Sequence, residues 1–286
     1  MAEYPPAKAG PLAPGLYVVS TPIGNLRDMT LRAIDVLSAA DLILAEDTRV
    51  SAKLLSAYGL KNKLERYDEH AAERIRPRVL QLLAEGGRIA LVSDAGTPLI
   101  SDPGYRLVRE ATQQGAAVFP IPGASSVMAA LAVAGLPTDR FLFAGFPPPR
   151  SAGRRALFAE LAPIRASLVF FEGGSRLAAS LADMAAVFGQ REAMVGRELT
   201  KLYETCIRGT LDILAADPAL AAPKGEMVVV VGPGAEVAAS PADADAALTD
   251  ALTRLGPAEA ASEVAGALGL NRRELYRRAL ALKGVR

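Results

Sequence analysis

Short runs of apolar, largely β-branched residues recur along this chain. Each of the first four, at 16–20, 42–45, 88–93 and 116–121, leads directly into a turn rich in Gly, Pro, acidic or hydroxyl side chains. Continuous apolar runs of this length suit strands buried on both faces, as in a parallel sheet covered by helices. Helical patterns fall between them, near 28–38, 49–58, 70–85 and 102–114. The last is expected to open with Asp102 as N-cap and Pro103 in the first helical position. Alternating strands and helices predict an α/β unit with right-handed crossovers.

A second set follows, with strands at 141–144, 167–171, 193–196 and 226–231 and helices near 153–161 and 175–187. The proline triplet 147–149, followed by Arg150, Arg154 and Arg155, reads as an exposed loop. Beyond residue 234 the composition turns to Ala, Asp and Pro, a linker into a wholly helical segment. There a helix over 258–268 stops at Gly269, and Asn271 caps a second helix that runs to about Lys283, a helix-turn-helix pattern. Leu275, Ala279 and Leu282 share one face of that helix, and Arg273, Arg277 and Arg278 fall away from it. The expected divisions are a loose tail over 1–14, α/β domains over 15–121 and 122–234, and a helical segment over 241–286.

Several classes of protein are excluded at this stage. A chain of 286 residues that is 51% hydrophobic and 22% charged has ample material for buried cores and is not disordered. One cysteine, Cys206, and one histidine, His70, exclude a disulfide framework and a zinc site. Residues 1–14 hold five prolines and glycines and no apolar run, and no stretch reaches the 18 or so apolar residues of a membrane span. A soluble, cytoplasmic protein is the expectation. The net charge of +1 hides an asymmetry: six basic residues against Glu274 give +5 from residue 270 onward, so the first 269 residues carry −4.

The chemistry is expected in the turns. After the first four strands come Ser20-Thr-Pro-Ile-Gly-Asn25, Glu46-Asp-Thr-Arg49, Ser93-Asp-Ala-Gly-Thr-Pro98 and Pro120-Ile-Pro-Gly-Ala-Ser-Ser126. In an open parallel sheet all four emerge at the carboxyl edge, where ligands bind at the topological switch point. Taken singly, Gly24 and Gly96 serve tight turns, and Asp94 and Ser125 serve as caps. The coincidence of four such turns on one edge is what predicts a small-molecule cleft. There is no G-x-G-x-x-G, no P-loop and no G-x-S-x-G elbow. His70 lies in a polar stretch and reads as surface or substrate rim.

These residues carry a resemblance. Ser20-Thr-Pro-Ile-Gly-Asn-Leu26, Ala45-Glu-Asp-Thr-Arg49, the long block 91–105, Pro122-Gly-Ala-Ser-Ser126, Arg197-Glu-Leu-Thr-Lys201 and Lys224-Gly-Glu-Met227 resemble, in order and spacing, the ribosomal RNA small subunit methyltransferase I family. That family belongs to the tetrapyrrole-methylase-like class. The resemblance implies two α/β domains of the tetrapyrrole methylase type, a cofactor cleft for S-adenosyl-L-methionine between them, a small helical C-terminal segment and a homodimer. It implies methylation of the ribose 2′-hydroxyl of a decoding-region cytidine of 16S rRNA, within the 30S subunit. By position, the cleft would be lined by Pro22, Gly24, Ser93, Asp94, Ala95, Gly96, Thr97, Ser125, Ser126, Phe171, Glu172 and Leu199. Where the family shows Tyr/Phe-Glu-Ser-x-His-Arg, this chain reads Phe171-Glu-Gly-Gly-Ser-Arg176; the expectation is that Gly173 and Gly174 only loosen the turn.

Methyl transfer from a sulfonium is an in-line displacement that needs alignment and a proton acceptor for the hydroxyl. Asp47, Glu198, Lys201 and Glu204 are the catalytic candidates, Lys201 provided that it is neutral. Arg49 and Arg197 are candidates for rRNA phosphate, and Arg273, Arg277 and Arg278 make the basic tail a second RNA footprint. No metal motif is present. Two rival readings are a methyltransferase acting on a tetrapyrrole-like small molecule and a non-catalytic RNA-binding or ribosome-assembly module. The first would call for a Gly-x-Gly-Pro-Gly turn where this chain has Thr21-Pro-Ile-Gly24.

Overall fold

The computed structural model describes residues 12–234, 241–268 and 270–284. Most of the expected N-terminal tail, the linker at 235–240 and the expected helix stop at Gly269 lie outside the described residues. The chain divides into two compact units, one through Pro233 and one from Gly234.

In the first unit the chain runs β1 (Gly15–Val19), α1 (Leu31–Ala39), β2 (Leu42–Ala45), α2 (Thr48–Ala57), β3 (Leu64–Arg66), α3 (Glu69–Ala84), β4 (Arg88–Val92), α4 (Tyr105–Gln113) and β5 (Val118–Ile121). The strands form a sheet in the order β3-β2-β4-β1-β5, and every pairing is parallel. Apolar residues cover both faces. Ala33, Val36, Leu37 and Leu55 of α1 and α2 pack on one side, and Ile75, Val79, Leu107 and Ala111 of α3 and α4 pack on the other. This is the arrangement that right-handed crossovers produce when the chain first winds one way from β1 and then returns from β3. Pro120, which lacks an N–H for the ladder, sits in the edge strand β5.

Then follow α5 (Ser126–Ala134), β6 (Phe141–Phe143), α6 (Ser151–Leu161), β7 (Ser167–Gly173), α7 (Gly174–Phe188), β8 (Glu192–Arg197), β9 (Thr205–Thr210), α8 (Leu211–Ala216) and β10 (Glu226–Val231). The second sheet runs β6-β7-β10-β8-β9; β6 and β7 are parallel and the other pairings antiparallel. One face is covered by α5 through Val127, Ala130 and Leu131, and the other by Phe158, Leu177, Leu181 and Met184 of α6 and α7.

Three expectations are corrected here, and two strands are added. Helix α4 begins at Tyr105, not at 102: the chain turns through left-handed backbone at Leu99 (φ 73°) and Ser101 (φ 67°), and Asp102 is engaged by the Ser93 hydroxyl instead of capping the helix. Arg154 is no loop residue. It lies buried on α6, its guanidinium 2.7 Å from Asp183 of α7. Gly174 does more than loosen a turn, because a Cβ there would lie 1.7 Å from the Pro223 carbonyl oxygen. The added strands are β3 and β9, polar outer strands without an apolar run to announce them.

The second unit holds α9 (Pro241–Leu252), α10 (Pro257–Leu268) and α11 (Arg272–Leu282) around Leu248, Val264, Leu275 and Ala279. Asn271 caps α11 by accepting the backbone N–H groups of Arg273 and Glu274. Leu282, expected on the buried face, is exposed in the last turn of α11.

Candidate functional site

The turns after β1 and β4, which leave adjacent strands toward opposite faces of the sheet, clasp each other. Thr21 N–H donates to the Gly96 carbonyl at 2.8 Å, and Gly96 N–H returns the bond to Thr21 at 3.1 Å. The Ser20 and Thr97 hydroxyls meet at 3.0 Å, and the Thr21 hydroxyl donates to the Ser93 carbonyl at 3.3 Å. The turn after β2 is tied in through Asp47 N–H, which donates to the Asp94 carboxylate at 3.0 Å. Side chain and backbone thus fix three turns at the topological switch point, the place where an open parallel sheet binds its ligand.

Over this edge lies a cleft of 370 Å³, within the range of small-molecule sites. Its first-sheet wall comprises Ile23, Glu46, 94–97 and 100–102. Ser125, Ser126 and Val127 form a corner, and the far wall comes from Phe146, 171–173, Leu199, Lys201 and 225–228. Ser125 caps α5, so the N-terminus of that helix, with its free N–H groups and positive dipole end, opens into the cleft. Phe143 and Phe146 pack edge-on against Phe171, which fixes that ring in the apolar wall.

Three carboxylates gather at one end. Burial pushes Glu46 above the usual carboxylate range, and Asp102 and Asp94 beside it add to the effect. Asp102 is also raised by burial, opposed by the hydroxyl of Ser93. At the other end Lys201 Nζ lies 2.9 Å from both Glu198 and Glu226. Burial works against its charge, but the hydrogen bonds to Glu226 and Glu198 outweigh it and raise Lys201 above its ordinary value. Glu198 is lowered, first by the Glu226 backbone N–H and then by Lys201. Glu198 (φ 50°) and Thr200 (φ 69°) both hold left-handed backbone in this loop.

Of the twelve residues expected to bind the cofactor, Asp94, Ala95, Gly96, Thr97, Ser125, Ser126, Phe171, Glu172 and Leu199 line the cleft. Ser93, Pro22 and Gly24 stand behind the lining; Gly24 packs under the stem of Lys201. Of the four catalytic candidates only Lys201 lines the cleft, and it is a charged latch rather than a neutral base. Asp47 is the N-cap of α2 and is gripped by Arg49 (2.6 Å), whose hydrogen bonds hold its carboxyl far below the usual range. Glu204 accepts the Thr200 N–H at 2.5 Å. Glu172 is buried against Arg176 and Ser180, which makes it a support for the start of α7.

Arg49 is exposed. Arg197 donates to the Lys224 carbonyl at 2.9 Å. Arg273 and Arg277 are exposed on α11, whereas Arg278 is held bidentate by Asp245 of α9 at 2.8 and 2.9 Å. Glu46 stands in the turn after β2 that the sequence singles out but is not among the expected site residues, and Asp102 is expected only as a helix cap. Among the described residues no group of His, Cys, Asp and Glu is arranged to hold a metal ion, and no helix is long and apolar enough to cross a membrane.

A protein-family model described as Tetrapyrrole (Corrin/Porphyrin) Methylases matches residues 15–215, and one described as RsmI C-terminal HTH domain matches 238–283. A protein named ribosomal RNA small subunit methyltransferase I from Mesorhizobium japonicum is 50% identical over 277 residues, covering 96% of this chain and 94% of the relative. Its namesake from Erythrobacter litoralis is 50% identical over 275 residues, covering 96% and 98%. Among solved structures, a uroporphyrin-III-C-methyltransferase from Thermus thermophilus matches with a TM-score of 0.54 at 23% identity, over 76% of this chain and 93% of that one. At that identity the likeness concerns the fold.

Proposed function

This chain belongs to the ribosomal RNA small subunit methyltransferase I family of the tetrapyrrole methylases, and we propose that it transfers a methyl group from S-adenosylmethionine to 16S rRNA. In this reading the acceptor is the ribose 2′-hydroxyl of a decoding-region cytidine, presented by the 30S subunit in the cytoplasm. The protein works as a homodimer built from α/β domains over 15–121 and 122–234 and a helical RNA-contacting segment over 241–286. The observation that carries it is the cleft at the switch point, clasped by the Thr21–Gly96 bonds, in a chain half identical to named relatives over nearly its whole length.

The donor set of the cleft fits S-adenosylmethionine. Ile23, Phe146, Phe171 and Leu199 offer apolar faces to an adenine, and the N-terminus of α5 with Ser125 and Ser126 suits the amino-acid carboxylate. Asp94 supplies an acceptor for a hydroxyl or ammonium donor. When bound, the cofactor supplies an electrophilic methyl carbon on a sulfonium. The protein's part is to fix that carbon in line with the acceptor oxygen and keep out water. Lys201 ties Glu198 of its own loop to Glu226 of β10, and its stem, packed over Gly24, keeps the β8–β9 loop against the first sheet. Arg49 and Arg197, with the tail arginines Arg273 and Arg277, meet rRNA phosphates.

The test is to incubate the protein with labelled S-adenosylmethionine and 30S subunits from a strain lacking the modification, then map the labelled nucleotide. Label on a cytidine ribose is expected. No label on the RNA, or label on a base, refutes the reading.

A further inference from the structure

A second chamber of 620 Å³ adjoins the cleft. The starts of α3 and α4 wall it through Tyr67, His70, Ala72 and Arg76 on one side and Tyr105 and Arg106 on the other. It has three residues in common with the cleft: Glu46, Ser101 and Asp102. These form the partition between the two spaces.

We propose that this chamber receives the sugar and base of the acceptor nucleotide, and that the Glu46–Asp102 carboxylate pair in the partition takes the proton from the acceptor hydroxyl. The proposal rests on the methyltransferase reading above. In-line transfer requires donor carbon and acceptor oxygen to meet across a shared boundary, and this is the boundary the two spaces have.

The charge of the chamber decides which part of a nucleotide enters. Its carboxylates are Glu46, Asp68, Glu69, Glu73 and Asp102, against the cations Arg76 and Arg106. Arg76 lies 2.9 Å from Glu110, and Arg106 lies 3.2 Å from Glu73. Such a space repels phosphate but accepts hydrogen bonds from ribose hydroxyls and from the exocyclic amine of a cytosine. The nucleoside therefore enters, splayed from its neighbours, and the phosphates stay at the rim, where the Arg106 side chain is 68% exposed. Tyr105, 64% exposed, offers a ring on which the base can stack. Inside, Arg76 is engaged by Glu110 and by the Tyr67 hydroxyl, which fixes its guanidinium in the chamber wall.

The partition is also built to hold a proton acceptor. Left-handed backbone at Leu99 and Ser101, an arrangement that costs about 1–3 kcal/mol per residue, turns the chain so that Asp102 meets Ser93. Burial raises both Glu46 and Asp102, and Asp94 on the donor side raises them further. That brings them nearer to the working range of a general base than Asp47, which Arg49 holds down. In the step, the hydroxyl O–H bond breaks and its proton passes to a carboxylate while the new O–C bond forms. The C–S bond breaks with its electron pair left on sulfur. The products are the methylated ribose, the neutral thioether S-adenosylhomocysteine and a carboxylic acid that returns its proton to water.

The full-length protein tests this with Ala72→Trp, which fills the chamber, Tyr105→Ala at its mouth, and the double variant Glu46→Gln/Asp102→Asn. Calorimetry reads affinity for S-adenosylmethionine, and capture of unmodified 30S subunits with S-adenosylhomocysteine present reads the acceptor side. Single-turnover methylation across pH reads the proton transfer. Ala72→Trp and Tyr105→Ala are expected to keep cofactor affinity within about threefold and to weaken 30S capture about tenfold. The double variant, whose amides occupy the same space as the carboxylates, should change either affinity by less than about tenfold but methylate about 100- to 10,000-fold more slowly, without the rise of rate with pH expected of the unaltered protein. If the unaltered protein labels 30S subunits while both chamber variants capture them normally, or if the double variant loses cofactor affinity in step with rate, this proposal alone is overturned. An unaltered protein that binds cofactor and labels no RNA overturns the methyltransferase reading and this proposal with it.

Discussion

The side chain of Lys201 crosses Gly24 so closely that a Cβ at Gly24 would lie 2.3 Å from Lys201 Cγ and 2.8 Å from its Cε. Gly24 also holds φ of 149°, a conformation that L side chains rarely adopt. The turn after β1 and the β8–β9 loop are thereby locked together without a hydrogen bond between them. Gly24→Ala can be accommodated only by displacing the whole stem of Lys201, which breaks its bonds to Glu198 and Glu226. We expect a loss of about 1–3 kcal/mol in stability from strain at this position, together with at least a tenfold loss of S-adenosylmethionine affinity. Urea titration and calorimetry read the two effects. Wild-type affinity in the variant would show that the latch does not shape the cleft.

Gly173, which stands where the family shows Ser, and its neighbour Gly174 should respond in opposite directions. A Cβ at Gly174 meets the Pro223 carbonyl carbon at 2.8 Å as well as its oxygen, so Gly174→Ala forces the start of α7 and the 221–225 loop apart. A loss of about 3 kcal/mol or more is expected, at the upper end for overpacking. Gly173 has open space around its Cβ position, φ of −84°, and serves as an N-cap without a side-chain bond. Gly173→Ser should therefore raise stability by roughly 0.5–1 kcal/mol, through a new cap and a less flexible unfolded chain. Denaturant midpoints of the two variants check the contrast.

The same stretch shows where sequence reasoning ends. The parallel sheet was legible because each of its inner strands announces itself as an unbroken apolar run, as β2 does in Leu42–Ala45, buried throughout. The four turns on one edge followed from that topology, and with them six of the nine expected residues that line the cleft; Phe171, Glu172 and Leu199 rested on the family resemblance. Gly174 was illegible because the group it must avoid, the Pro223 carbonyl, lies 49 positions away. Asp102 looked like a helix cap because capping is local; its actual partner, Ser93, becomes a neighbour only when the 99–101 backbone turns left-handed. Arg154 and Arg278 looked like solvated charges for the same reason, since Asp183 and Asp245 are far from them in sequence.

Asp183 gives a pH-dependent test. Its carboxylate receives Arg154, Arg155 and Ser151, and both it and Arg154 have side chains about 5% exposed. Burial pushes its pKa up, but the hydrogen bonds from Arg155, Ser151 and Arg154 outweigh burial and leave it lowered. A lowered folded-state pKa means that the contribution is complete above the unfolded value of about 3.9 and is lost as pH falls through the folded value. Asp183→Asn strands Arg154 in the core and should cost about 3–5 kcal/mol at neutral pH. The gap between variant and wild type should shrink as pH drops below about 4. Urea midpoints measured from neutral pH into acid follow it; a gap that stays constant would refute the assignment.

The arginines of α11 divide into two kinds, and salt titration can tell them apart. Arg273 and Arg277 are exposed and should act as phosphate contacts, so each change to Gln is expected to weaken 30S binding and to reduce the slope of log affinity against log salt by about 1. Arg278 ties α11 to α9 through Asp245. Arg278→Ala should instead loosen the three-helix unit, because it removes a bidentate bond between two of its helices, and leave the salt slope unchanged in whatever fraction remains folded. Circular dichroism melts of the isolated second unit are not needed, because hydrogen exchange at the α9 and α11 amides of the full chain reports the loosening directly. Equal salt-slope changes for all three substitutions, with no change in exchange for Arg278→Ala, would overturn the division.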